Sequence, residues 1–177
     1  MKNEHDIGVT MAIVPTSRGL GYVAFENPGL VIDWGVKDVR KDKGRACLQK
    51  AGALIDLLKP SVLVVEDWQH SSSRRSRRVK ELVRNLAHLG KERDVTVVRC
   101  SREEMLTVFA RMGAESKDDI AGVVARYVPE LGQRLPPRRR IWDSEHYSMS
   151  IFEAAALALT YFARSQGGLR ISEEGIG

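Results

Sequence analysis

The 177-residue sequence predicts an α/β or α+β single domain built on a mixed sheet covered by helices. Two observations carry that prediction. The chain opens with β-rich runs separated by short polar turns, which suit an antiparallel meander. Helical periodicity then alternates with short apolar runs, the pattern of strands joined by helical crossovers.

Residues 7–15 (IGVTMAIVP) and 21–26 (GYVAFE) form the first two runs, joined by the turn Thr16-Ser17-Arg18-Gly19, and together read as a hairpin. Residues 30–39 (LVIDWGVKDV) follow the Asn27-Pro28-Gly29 turn and supply a third strand. Leu48, Ala51, Ile55 and Leu58 then recur at helical spacing up to Pro60. Residues 61–67 (SVLVVED) are a continuous apolar run ending in two carboxylates, which suits a buried strand whose C-terminal end reaches a site. Val79, Leu82, Val83, Leu86 and Leu89 mark an amphipathic helix ending at Gly90, and residues 95–100 (VTVVRC) a further strand. Helices are expected over 102–112 and 117–127, then a basic proline-containing connection over 132–140, and a last helix over about 150–164. The stretch 166–177 reads as a mobile tail after a domain of residues 1–165. No repeat of solenoid length occurs.

Composition narrows the class. Hydrophobic residues at 43% and charged residues at 29% describe a globular chain, and no apolar run approaches membrane-spanning length. The start MKNEHDIG has no basic segment followed by an apolar one, so a cytoplasmic location is the expectation. Cys47 and Cys100 lack ligand spacing and are expected to be reduced and packed. The net charge of +5 is modest, but the basic residues are bunched, which favours an anionic partner.

Local motifs add a resemblance. Residues 13–22 (IVPTSRGLGY) resemble the first-strand signature of the RuvC Holliday-junction resolvases, with Pro15, Ser17, Arg18, Gly21 and Tyr22 in matching places. Residues 60–66 (PSVLVVE) are similar to that family's fourth strand, which ends in a catalytic glutamate, here Glu66. Residues 153–159 (EAAALAL) resemble its alanine-rich last helix, with Glu153 in place of a catalytic aspartate, and residues 116–121 (SKDDIA) look like the helix start before it. The likeness spans about residues 7–165. It implies a ribonuclease H-like α/β single domain, with a mixed five-stranded sheet of three antiparallel then two parallel strands and helices on both faces. Two positions depart from it, since Val14 and Ala156 stand where the family has aspartates.

What the resemblance implies chemically is a metal-dependent endonuclease cutting branched DNA as a homodimer, with Mg²⁺ or Mn²⁺ held by carboxylates from separate elements. Glu66 and Glu153 are the catalytic and metal-ligating candidates, with Asp67 and Glu145 as nearby acids to stand in for those missing. In a strand Glu66 and Asp67 face opposite ways. Glu153 lies in an otherwise apolar helix, where a carboxylate needs a metal, an interior ion pair or the helix dipole to stabilise it.

The basic arm comprises Arg74, Arg75, Arg77, Arg78, Lys80 and Arg84, interspersed with serines 71–73 and 76. Phosphate contact is its natural use, with a solvated helix face as the alternative. A second cluster, Arg134, Arg138, Arg139 and Arg140 beside Trp142, suits stacking on and neutralising a nucleic-acid backbone, or Trp142 belongs to the core. Thr16, Ser17 and Arg18 suit either a phosphate contact or a plain hairpin turn. His146 is a candidate proton carrier or metal ligand or an ordinary surface residue, and His70 is read in the same way. Three functions follow: a RuvC-type endonuclease, a nucleic-acid-binding protein that keeps the fold without cleavage, and a scaffold that binds an acidic protein.

Overall fold

The computed structural model describes residues 8–165, so the expected tail of 166–177 lies outside the described residues. Three antiparallel strands, β1 (Thr10–Pro15), β2 (Gly19–Asn27) and β3 (Leu30–Asp38), form the meander. Helix α1 (Lys43–Leu58) leads to β4 (Val62–Glu66), and α2 (Arg77–Glu92) leads to β5 (Thr96–Cys100). The remainder is helical: α3 (Arg102–Ala110), α4 (Lys117–Tyr127), a 3₁₀ turn over Pro129–Arg134, and α5 (Met149–Ser165). The sheet order is β3-β2-β1-β4-β5, with β4 parallel to both β1 and β5. This is the expected single α/β domain with a mixed five-stranded sheet.

Strand alternation sorts the core into two layers. Met11, Ile13, Leu63 and Val65 point toward α1 and α2, together with the buried Cys47. Ala12, Val14, Val64 and Cys100 point toward α3, α4 and α5. Both cysteines are free and buried, and burial pushes each thiol up to about 11, so neither is a reactive thiolate at neutral pH.

Helix α5 is buried along nearly its whole length and lies against β1 and β2. Gly21 permits this approach, because a Cβ there would meet Ser150 backbone carbon at 2.5 Å. The close packing sets α5 down beside the C-terminal ends of β1 and β4. Caps fix the helix starts near the same end of the sheet. Ser76 accepts from the Val79 amide, and Ser101 and Ser116 each form a capping box with Glu104 and Asp119.

Candidate functional site: a carboxylate centre bridged by cations

Glu66 is the last residue of β4 and is 7% exposed. The parallel register pairs Thr10 with Val62 and Ala12 with Val64. Continuing it by two residues sets Val14 beside Glu66 on the face toward α5. That position holds a branched hydrocarbon that is 2% exposed, and it offers no oxygen. Glu153, in the second turn of α5, reaches the same place from above, and Ala156 follows three residues later along the same cavity wall.

One guanidinium joins the two glutamates. Arg75 Nε donates to Glu66 Oε2 at 3.2 Å, and Arg75 Nη2 donates to Glu153 Oε2 at 2.9 Å. Ser73 Oγ also donates to Glu66 Oε2 at 3.2 Å. Lys117, the first residue of α4, extends the chain of charges through ion pairs with Glu153 and Glu145. The result links β4, the 67–76 loop, α4, α5 and the 135–148 arm through alternating acids and bases.

Carboxylates as poor in water as Glu66 and Glu153 survive charged only when paired. Burial pushes the Glu153 carboxyl up, but Arg75 and Lys117 outweigh it and hold that carboxyl below the usual glutamate range. Burial pulls Arg75 down, and Glu153 and then Glu66 outweigh it, so the guanidinium stays charged at any physiological pH. Burial likewise pulls Lys117 down, and Glu153 with Glu145 keeps it protonated.

The expected site residues divide into two groups. Glu66, Glu153 and Glu145 converge through Arg75 and Lys117. Asp67 does not join them: it lies past the end of β4, 3.9 Å from Arg99, and lines a separate cavity with His70 and Glu103. Arg75, read with its neighbours as a phosphate contact, turns inward. Three of the four serines of the basic arm are also engaged: Ser72 Oγ accepts from the Glu103 amide, Ser73 holds Glu66, and Ser76 caps α2. Of the rest of that arm, Arg74 lines the cavities beside the glutamates. Arg77, Arg78 and Arg84 lie exposed along α2, with Lys80 half-exposed among them, and Arg77 is paired to Glu81 at 3.6 Å.

A basic rim surrounds the acidic centre. Arg18, on the β1–β2 turn, lines one cavity of about 700 Å³ with Arg138, Arg139 and Arg140, and an adjoining one of about 410 Å³ with Arg74 and His146. Thr16 Oγ1 accepts from the Arg18 amide and Lys43 holds the Ser17 carbonyl, so the turn is internally built while the Arg18 side chain remains exposed. His146 Nδ1 is shared with Ser148 Oγ at 2.7 Å, an arrangement that anchors the arm. Among the described residues, no carboxylate lies within ion-pair distance of Arg18, Arg74, Arg139 or Arg140.

Lys117 was not singled out as a site residue from the sequence, although a signal existed. A cation at the first position of a helix opposes the macrodipole, so its placement there needs another reason. Arg75 carried no such signal, because nothing in the sequence distinguishes it from the arginines around it.

Comparison with solved structures identifies the architecture. Thermus thermophilus RuvC in complex with Holliday junction substrate superposes with a TM-score of 0.65 over 90% of this chain and 96% of that one, at 16% identity. The fold is that of the RuvC resolvases. A second Thermus thermophilus RuvC structure gives 0.61 at 20% identity over 90% and 97% of the two chains. The yeast mitochondrial Holliday junction resolvase Ydc2 gives 0.55 at 14% identity over 91% and 80%. No sequence-family model and no curated protein matches the chain.

A divalent ion, which the RuvC fold implies, does not fit the residues present. Hard cations take six or more oxygen ligands, with carboxylates supplying the charge. Here two of the expected acid positions are Val14 and Ala156, and the carboxylates that remain are held by Arg75 and Lys117. Among the described residues no group of three or more His, Cys, Asp or Glu side chains could hold a metal ion. No described helix is long and apolar enough to cross a membrane.

Proposed function

We propose that this chain binds branched DNA through the basic rim of a RuvC-type cleft without cutting it, its acidic centre neutralised by its own cations. The observation that carries this is Arg75, whose one guanidinium is held by both Glu66 and Glu153. A metal-dependent nuclease needs those carboxylates to gather divalent ions. In this chain their charge is met by Arg75 and Lys117, while Arg18, Arg74, Arg139 and Arg140 surround the cleft with no carboxylate partner among the described residues. Such a distribution attracts a polyanion to the rim and stabilises the centre by itself.

The test is a panel of labelled four-way junction, flap, duplex and RNA–DNA hybrid, titrated with the protein in EDTA and then in Mg²⁺ or Mn²⁺. Junction binding that persists in EDTA, with no cleaved product in either metal, is the expected outcome. Binding that requires metal, or product that vanishes with Glu66→Gln, would overturn it.

The endonuclease reading keeps one observation in its favour. A single guanidinium spans Glu66 and Glu153, so the two side chains converge as a pair of metal-ligating acids would. Under that reading Glu66 and Glu153 would hold Mg²⁺ or Mn²⁺ only where a DNA phosphate had drawn Arg75 away. The same cleavage panel decides between the two. A homodimer, which the family likeness implies, belongs to either reading, and sedimentation with and without junction DNA tests it.

A further inference from the structure

The large apolar side chains of this protein are mostly covered, but Ile141 is 96% exposed and Trp142 is 76% exposed. The other two tryptophans are not presented in this way. Trp34 and Trp68 are partly buried against the two core layers, and Trp68 also lies under the Arg99 guanidinium at 4.9 Å. Exposure of two adjacent large apolar residues costs solvation without a structural return, so they have to be accounted for.

Their display is built into the backbone. The Asp143 amide donates to the Arg140 carbonyl at 3.0 Å, and the Arg140 amide donates to Asp143 Oδ2 at 3.0 Å. These bonds close a four-residue turn with Ile141 and Trp142 at its two central positions, pointing away from the chain ends. The arm carrying the turn is tied down at its base. Ser148 Oγ donates to the Arg134 carbonyl at 2.9 Å, Arg138 pairs with Asp119 at 3.2 Å, and Glu145 pairs with Lys117. Pro136 and Pro137 restrict the irregular segment that leads up to the turn.

The chemistry beside the tip selects the partner. Arg138, Arg139 and Arg140 precede the two apolar residues, and the Arg140 guanidinium stands 5.8 Å from the Trp142 ring centroid. A partner that satisfies both features is a polyanion bearing flat apolar faces. Nucleic-acid bases fit that description, whereas an acidic protein surface would leave the indole unmatched. Bases inside a continuous duplex are already stacked on both sides. Only an unpaired base or an opened step has a face to offer.

We propose that Ile141 and Trp142 form a base-stacking tip that engages an unpaired or opened base while the arginines of the same arm hold the flanking phosphates. This deepens the nucleic-acid-binding reading above and rests on it. Specificity for branched over continuous DNA would then reside in this tip, and the arginine rim would supply affinity common to all DNA.

The experiment compares the full chain with Trp142→Ala, Trp142→Phe and Ile141→Ala, each checked for folding by circular dichroism. Binding is followed by anisotropy, on a duplex and on a branched substrate of equal length carrying 2-aminopurine at an unpaired position. Trp142→Ala is expected to bind the branched substrate about tenfold more weakly, with duplex affinity and salt dependence unchanged. Trp142→Phe should retain most of the affinity, Ile141→Ala should lose less than Trp142→Ala, and wild type should quench the probe where Trp142→Ala does not.

Branched-DNA affinity and probe emission unaltered in Trp142→Ala would overturn the tip while leaving DNA binding in place. Equal weakening on both substrates would overturn it too, as would loss of self-association in that variant without any effect on DNA. A wild-type protein that binds neither DNA at any salt concentration would instead remove the functional reading itself.

Discussion

The centre and the rim of the cleft are built from the same residue types and put them to opposite uses. At the centre, Arg75 lies against the buried Glu66 and Glu153, so charge is cancelled where water is scarce, and the more exposed Lys117 and Glu145 continue the chain outward. At the rim, Arg18, Arg74, Arg139 and Arg140 stand in solvent with no acid in reach among the described residues. An arginine already satisfied by buried carboxylates has little charge left for a ligand. An unpaired arginine in water retains nearly all of it. The difference separates residues that hold the fold together at this point from residues free to meet an anionic ligand, although Arg74 and Arg75 are adjacent in sequence.

The largest effect should come from breaking the centre. Arg75→Ala leaves Glu66 and Glu153 facing one another without their shared partner, a loss on the order of 3 kcal/mol for an uncompensated buried charge. Urea denaturation measures it. Adding Glu66→Gln and Glu153→Gln to that variant should restore much of the stability. Failure of the glutamine pair to do so would mean that packing rather than charge makes Arg75 matter. An Arg75→Ala, Lys117→Ala protein should gain stabilisation from Mn²⁺ that wild type lacks, because Glu66 and Glu153 are then both freed for an ion.

Acid should act on the same centre, with a smaller effect. The Glu153 carboxyl lies below the usual glutamate range in the folded protein. Its contribution is therefore fully present above the unfolded value, near pH 4.3, and is lost as pH falls through the folded one. A plot of unfolding free energy against pH should bend downward below about pH 4.3, and Glu153→Gln should flatten that bend. A bend of equal size in the variant would assign the acid sensitivity to other carboxylates.

The rim gives a third expectation of a different kind. Replacing Arg18, Arg74, Arg139 and Arg140 by Ala should leave the urea midpoint unchanged and weaken DNA binding. The slope of log affinity against log salt should drop by about 0.9 for each phosphate contact removed. Unchanged slope would mean that these arginines do not meet the backbone.

The sheet was legible because its signals are local. Polar turns at Thr16–Gly19 and Asn27–Gly29 separate the meander strands, and the continuous apolar run before Glu66 suits a strand covered on both faces. The convergence of Glu66 and Glu153 was legible only through the family likeness, since β4 and α5 are far apart in the chain. The partners of those acids were not legible. Whether Arg74 or Arg75 turns inward depends on how the 67–76 loop folds, with His70 and Ser72 bonded to each other at 2.7 Å and Ser73 turned to Glu66. Composition treats these arginines as equal, and three-dimensional packing does not.

The outer face of α2 sharpens the distinction at its weakest point. Arg77 is 94% exposed, pairs with Glu81 one turn along, and sits with Arg78 and Arg84 on the exposed side of the helix. Sequence alone places these residues in one arm with Arg74, yet the helix carries them along a face of their own. An exposed pair of this spacing adds little to stability, because solvent screens it and two long side chains lose freedom in forming it. Arg77→Ala with Arg78→Ala should therefore leave the urea midpoint within error and change junction affinity less than Arg74→Ala does alone. If the double variant instead loses more than Arg74→Ala, the DNA path extends along α2, and the rim reaches well beyond the cleft.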